Sequence, residues 1–413
     1  MKKTFLREYA KLLVKSGISV KKGDIVIVNA SLDQPDFVKT VVEECYRAKA
    51  ARVMVEWSYL PLTKLNVNNM SLKMLGTVEA FEEEKLKYRL EKNPCMLHLV
   101  SDDPDGLRGI NQGKYTKAMI SKMKITKPYR DKMENKYKWC IAAVPGEAWA
   151  KKVFPGIRAS VAIEKLWNAI LFTSRVIDKD GNLLDSVAEW DKHNDSFAQR
   201  CKILNDADLV ELRYKSSNGT DLKVGLIDNG SFLGGGENTL GGEYFNPNIP
   251  TEEIFTSPKA GVAEGIVCSS MPLSWRGEII DNFSLRFENG RAVEAKAEKN
   301  EELLKNMISM DEGAAMLGEC AFVPYDSPIR ESGIMFYETL FDENAACHFA
   351  MGRGFTNTIV DYDKYTNEEM KEMGINDSSI HVDFMIGTKD LSIVGIKRDG
   401  GEFEIFKDGV WAF

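Results

Sequence analysis

Lys22-Gly23-Asp24-Ile25-Val26-Ile27-Val28 decides how the N-terminal part of this 413-residue chain folds. Gly23-Asp24 turns the chain, and the apolar β-branched run behind it reads as a short strand. Upstream, Phe5, Tyr9, Leu12 and Leu13 share one face of a helix that stops near Gly17. Downstream, Phe37, Val41, Val42 and Cys45 form the apolar stripe of a helix over 35–48. Strands follow at 52–55 and, after a long helical stretch, at 96–100. Strands alternating with helices predict βαβ units and a mostly parallel sheet. Asp102-Asp103-Pro104-Asp105-Gly106 is a cluster of chain breakers and the expected domain boundary.

A further strand at 139–144 and two or three helices reaching about 204 keep the α/β texture. Beyond Ala207 it changes. Runs at 209–214 and 222–227 flank Ser216-Ser217-Asn218-Gly219; runs at 285–287 and 292–295 flank Asn289-Gly290. A third pair, 391–396 and 403–406, flanks Arg398-Asp399-Gly400-Gly401. Each is a hairpin signal. The expected architecture is therefore an α/β N-terminal domain over 1–108 and an α+β C-terminal domain over 109–413, with mixed and antiparallel sheet. The Gly-rich stretch 234–242 lacks the GK[ST] ending of a phosphate cradle and reads as a loop.

Composition narrows the function. Hydrophobic residues at 44% and charged residues at 28% suit a globular protein. Lys+Arg 54 against Asp+Glu 62 gives a net charge of −8, against nucleic acid as a partner. Charge returns right after the first residues, so a signal peptide is not expected, nor is any stretch apolar enough for a membrane helix. Seven scattered cysteines without a CxxC pair point to reduced thiols and a cytoplasmic location.

Of four histidines, His98 alternates with apolar neighbours and reads as a satisfied core residue, and His193 sits in a charged helical run and reads as exposed. His381 and Asp383 are more informative. At positions i and i+2 of an apparent strand they project from one face, a spacing that suits two ligands of one metal ion or a hydrogen-bonded pair. Glu319 lies in an apolar run where an unpaired carboxylate is costly, and a cation would answer that cost. Glu252-Glu253 follows a proline and also suits the acidic first turn of a helix.

Taken together, Asn-Ile-Pro-Thr-Glu-Glu-Ile-Phe-Thr-Ser-Pro (248–258), Gly-Glu-Cys (318–320), Leu-Phe-Asp-Glu-Asn-Ala-Ala-Cys-His (340–348) and Ile-His-Val-Asp-Phe-Met-Ile-Gly (380–387) resemble the motifs of the M29 metalloaminopeptidases, the thermophilic-aminopeptidase family. The similarity runs through nearly the whole chain. It implies metal ligands at Glu253, Glu319, His348, His381 and Asp383 in a two-metal site, and a metallo-exopeptidase that takes N-terminal residues from short peptides, commonly as a homodimer. It places Glu343 in the same site, with a role open between supporting the ligands and meeting the substrate amine; Glu319 and Glu343 are the expected catalytic carboxylates. The ligand set is sensible in itself. Three carboxylates and a bridging hydroxide balance two divalent cations, and mixed N/O ligands fit Zn, Co or Mn better than calcium. A bridging carboxylate, assigned to Glu319, would hold the ions about 3.5–4 Å apart.

One position departs from the family pattern. Where it usually reads His-x-Ala-x-Gly-x-x-Tyr, this chain has His348-Phe349-Ala350-Met351-Gly352-Arg353-Gly354-Phe355. Phe355 neither ligates a metal nor donates a hydrogen bond, and loss of one oxyanion donor costs on the order of 10²–10³ in rate. Arg353 is an added cation nearby. Two alternatives follow: a catalytically altered or inactive metal- or peptide-binding homologue, and a two-metal hydrolase of another amide or of a phosphoester.

Overall fold

The computed structural model describes residues 1–276 and 278–413. They fall into two compact units, Met1–Lys192 with Gly236–Pro250, and His193–Gly235 with Thr251–Phe413. The division expected at 108/109 is not where the contacts divide. The breaker cluster 102–106 is a loop inside the first unit, between strand Cys95–Val100 and helix Gln112–Met133. Strand Trp139–Ala143, beyond that loop, pairs with Cys95–Val100 and keeps the chain in the same sheet.

The first unit is the expected parallel α/β layer. Its five strands run in the order Asn248–Ile249, Trp139–Ala143, Cys95–Val100, Ile25–Ser31, Arg52–Ser58, all parallel. Val26, Ile27 and Val28 are buried because helices cover the sheet. On one side Tyr9, Phe37 and Trp167 form an aromatic cluster with centroids 5.3–6.2 Å apart, and Tyr9 donates its hydroxyl to Ala143 O at 3.0 Å. The Gly-rich stretch is not wholly irregular: Leu233–Gly234 pairs with Ile254–Thr256 in the second unit, and Glu237–Asn238 with Tyr244–Phe245 in the first.

The second unit is antiparallel. The three hairpins form as expected: Leu209–Lys215 pairs with Asp221–Leu226, Glu278–Glu288 with Arg291–Lys299, and Ser392–Lys397 with Glu402–Lys407. They belong to a nine-stranded sheet. A second sheet of five strands runs His381–Met385, His348–Gly352, Leu317–Phe322, Ile254–Thr256, Leu233–Gly234. Its inward residues Cys320, Phe322, Phe349, Met351, Val382 and Phe384 share one core with Leu212, Tyr214, Val267, Leu285 and Ile393 of the larger sheet. The Tyr214 and Phe349 rings meet edge-on at 4.8 Å, and Phe283 lies 5.6 Å from Phe384. That packing fixes which side of the small sheet faces away from the core. No helix among the described residues is long and apolar enough to cross a membrane.

Candidate metal centre

Register dictates the chemistry of the outward face. Cys320, Phe349 and Phe384 stand opposite one another across three strands and point into the core. One step along, Glu319, Ala350 and Asp383 stand opposite one another, and two steps from these Ala321, His348 and Met385 do so. Side chains alternate along a strand, so Glu319, His348, His381 and Asp383 share the face that the core leaves free. Between Glu319 and Asp383 the sequence supplies only the methyl group of Ala350, which leaves room above the sheet.

Two glycines make this register possible. A bulge separates Leu317 from Glu319, and a Cβ on Gly318 would come within 2.3 Å of Gly352 O and 2.4 Å of Arg353 O. Gly352 has φ +103°, and a Cβ there would meet Ile380 O at 2.2 Å. Side chains at either point would force the strands bearing Glu319 and His381 apart.

Glu253 arrives differently. Glu252-Glu253 is not a helix start, because the cis Ile249–Pro250 bond leads into an extended loop that feeds strand Ile254–Thr256. Phe255 stands opposite Ala321, so alternation brings Glu253 to the same outward side. Asn344, fully buried, accepts hydrogen bonds from Glu252 N at 2.6 Å and Thr251 Oγ1 at 3.4 Å, and donates to Leu340 O at 3.0 Å. It thereby ties the loop before Glu253 to the helical turn that carries Glu343. Sequence reasoning passed over Asn344 although it lies inside a quoted motif. It also placed His193 in solvent, whereas that side chain is only 11% exposed. Its Nε2 lies 2.9 Å from Thr251 O and 3.7 Å from Glu252 Oε2, and its ring lies against Phe197. The acceptor is 58 residues away in sequence, so no local signal could have revealed it.

Five of the expected residues converge. Glu253, Glu319 and His348 present ligand atoms within 4.8 Å of one another, and so do Glu319, His381 and Asp383. Glu319 is common to both groups. His348 Nε2 lies 3.3 Å from Glu253 Oε2; His381 Nε2 lies 3.2 Å from Glu319 Oε2 and 3.2 Å from Asp383 Oδ1. Each imidazole is oriented from behind: Nδ1 of His348 meets Ala346 O at 3.1 Å, and Nδ1 of His381 meets Arg353 O at 2.7 Å. A proton on Nδ1 leaves Nε2 as the free lone pair, the tautomer a metal ligand needs. Arg353 thus serves the site through its carbonyl, while its side chain is exposed.

Electrostatics point the same way. Burial raises the Glu319 carboxyl to about 7 against the hydrogen bond with His381, and Glu253 and Asp383 add to the rise. Glu343 is pushed well above the usual carboxylate range by burial and then by Glu253, Asp383 and Glu319. Burial opposes charge on the imidazoles, yet Glu253 lifts His348 to about 9, and Asp383 with Glu319 lifts His381 to about 11. Fully ionised, four carboxylates around two imidazoles would carry more negative charge than the imidazoles can offset, which is part of why Glu319 and Glu343 resist ionisation. Asp383 Oδ1 is buried with the imidazole Nε2 of His381 3.2 Å away, and burying a carboxylate among other acids is costly unless a cation meets it. The donor set therefore fits divalent metal.

Phe355, 36% exposed, lies with its ring 4.8 Å from that of His381 and 5.3 Å from that of Phe255. The position at which the resembled pattern is expected to carry a tyrosine is thus beside the site, occupied by a ring without a hydroxyl.

Comparison with known proteins decides the family. The model of the thermophilic metalloproteases (M29) matches residues 2–411. The chain belongs to the M29 family. It is 40% identical over 415 aligned positions to aminopeptidase AmpS of Bacillus subtilis (strain 168), covering 99% of this chain and 98% of that one. It is 38% identical to aminopeptidase PepS of Streptococcus thermophilus, covering 98% and 97%. The solved structure of wild-type AmpT from Thermus thermophilus superposes with a TM-score of 0.90 at 33% identity, covering 100% of both chains. The two-domain α/β architecture is therefore that of AmpT, and the chain is a metallo-aminopeptidase, a hydrolase of the M29 family.

Proposed function

We propose that this M29 enzyme releases the N-terminal residue of short peptides through two divalent metal ions held by Glu253, Glu319, His348, His381 and Asp383. The sharing of Glu319 between two ligand groups carries this reading. In it, Glu253 and His348 serve one ion, His381 and Asp383 the other, and Glu319 both. Zinc, cobalt and manganese suit such N/O ligands. When bound, a metal pair supplies Lewis acidity at the scissile carbonyl and a hydroxide nucleophile near neutral pH.

The chain's own residues do the rest. Ala346 O and Arg353 O hold the imidazoles in place, and Asn344 fixes the approach of Glu253. The surplus of carboxylate favours a substrate's terminal ammonium over a neutral, acetylated end. Glu343, set among these acids, is the carboxyl placed to pass a proton to the leaving nitrogen. Phe355 and Phe255 supply an apolar wall where the family pattern has a hydroxyl, which supports slower turnover with the metal site intact.

A cytoplasmic location fits the seven cysteines, all of them free. A homodimer fits the exposed apolar side chains of the first unit, among them Leu62, Leu65, Met74, Phe81 and Met123. The test is to strip the enzyme with chelator, reload it with zinc, cobalt or manganese, and offer a short peptide and its N-acetylated twin. Metal-dependent release of the first residue from the free peptide alone is expected, with two ions per chain. Cleavage of both peptides would refute the exopeptidase reading, and binding without turnover would favour an inactive homologue.

A further inference from the structure

Beside the metal centre, on the side of His381, one buried asparagine links several backbone groups. Asn376 is 2% exposed and lies just beyond helix Asn367–Met373. Its Nδ2 donates to Gly352 O at 2.6 Å and Gly313 O at 2.9 Å, with Met316 O at 3.4 Å. Gly352 ends the strand that bears His348, and Met316 directly precedes the strand that bears Glu319. The amide therefore fastens those two strands together at one end. Removing a buried donor of this kind leaves carbonyls unsatisfied, which costs more than the bond itself yields.

The bond at the asparagine's own carbonyl is the informative one. Asn376 O accepts from Gly354 N at 2.9 Å, and that N–H belongs to the same peptide unit as the carbonyl of Arg353. Arg353 O in turn faces Nδ1 of His381 at 2.7 Å. A peptide unit is planar and stiff, so whatever holds its N–H also aims its C=O. Hydrogen bonds joined through one peptide polarise one another, and a firmer bond at Nδ1 makes Nε2 the better metal ligand. On the next peptide Ser257, 1% exposed, accepts from Phe355 N at 2.8 Å through Oγ. Segment 353–355 is thus held at two successive amides. His348 has a different support: its Nδ1 faces Ala346 O, and Asn344 ties down the loop before Glu253. His348 also begins its strand, roughly 13 Å from Gly352 at the other end.

We propose that Asn376 is a positioning residue for the ion on the His381–Asp383 side, acting through the Arg353 carbonyl, and that the ion on the Glu253–His348 side does not depend on it. The inference rests on the two-ion reading above and deepens it. Two halves that share Glu319 are each supported by their own buried asparagine, so their affinities are separately adjustable.

The probe is cobalt(II), titrated into metal-free enzyme and followed by visible absorption and calorimetry. His348→Ala confines it to the His381 side, and His381→Ala to the His348 side. Added to His348→Ala, Asn376→Ala should weaken cobalt binding about tenfold to a hundredfold, the usual effect of losing a partner behind a metal-bound imidazole. Added to His381→Ala, it should change the affinity by less than about twofold, as for independent sites. A measurement on the unmutated enzyme covers the case in which Asn376→Ala does not fold. There the Gly354 amide should exchange with solvent at least about tenfold more slowly than an exposed loop amide. Equal weakening on both sides would make Asn376 a general support of the fold and overturn the proposal. Unchanged binding on the His381 side, or a Gly354 amide exchanging at loop rates, would overturn it too. A wild-type enzyme that binds a single ion would refute the two-ion reading and the proposal with it, whereas two ions without the selective loss would refute the proposal alone.

Discussion

The two units each set polar side chains in register across neighbouring strands, and the two rows answer their charge in opposite ways. In the first unit Glu56, Asn29 and His98 stand opposite one another. Glu56 meets Lys85 and Arg89 from the covering helix Ala80–Lys92, so the acid is neutralised by the chain itself and donors are left over. In the second unit Glu319 and Asp383 flank Ala350, and among the described residues their ion-pair partner is the imidazole of His381. The difference shows why a buried carboxylate alone says little. What matters is whether the nearest elements bring a permanent cation. Where they bring Lys and Arg the row stabilises the fold modestly, and where they bring only His a divalent ion is the natural counter-charge.

The comparison is broken most directly at Glu319. Glu319→Gln keeps the shape but removes the charge common to both ligand groups. We expect bound metal, measured by atomic emission, to fall below one ion per chain, and kcat/KM to fall by at least about 10³, as for loss of a metal together with its charge stabilisation. The far-ultraviolet circular dichroism should be unchanged. Retention of two tightly bound ions would remove Glu319 from its shared position.

Just behind that face, Phe349→Ala empties a fully buried site in the core shared by both sheets. Such truncations cost about 3–5 kcal/mol, so the urea midpoint should drop sharply. Metal content per folded molecule should stay at the wild-type value, because Phe349 points away from the candidate ligands. A loss of metal with no loss of stability would invert the assignment of the two faces.

The contrast between the units also explains what was legible in advance. Ile25-Val26-Ile27-Val28 and the hairpin around Ser216-Ser217-Asn218-Gly219 are local signals, and both formed as read. His381 and Asp383 share a strand, so their common face followed from spacing alone. Convergence of the other candidate ligands did not: Glu319 meets His381 only because two ladders place Leu317–Phe322 and His381–Met385 on either side of His348–Gly352. That order came within reach only through family motifs. Strand Asn248–Ile249 joins the first unit's sheet from more than a hundred residues beyond its partner Trp139–Ala143, and no local pattern announces it. The breaker run 102–106 misled because a loop between two strands of one sheet has the composition of a linker.

A smaller effect sharpens the site itself. Phe355→Tyr restores a hydroxyl next to the ring of His381, from which Phe355 now lies 4.8 Å. We expect kcat to rise by about tenfold, less than the full value of an oxyanion donor, because Phe255 also packs on this ring and steers its tilt. KM and metal content should stay within about twofold. No change in kcat would show that the hydroxyl is dispensable in this protein.

The smallest effect belongs to the first unit and tests the claim that its row is already balanced. Burial raises the Glu56 carboxyl, but Lys85 and Arg89 outweigh it and the net shift is downward. A carboxylate lowered in the folded state stabilises above its unfolded pKa of about 4.3, and that contribution fades as the pH falls through the lower folded value. Glu56→Gln should therefore cost about 0.5–1 kcal/mol at pH 7, the range of a partly exposed ion pair. The gap between variant and wild type in urea should close as the pH is lowered below about 4. Metal content and peptide turnover should not move. A loss comparable to that of Glu319→Gln would mean that the two rows are not independent. A gap that persisted in acid would show that packing of the side chain, rather than its charge, is what Glu56 contributes.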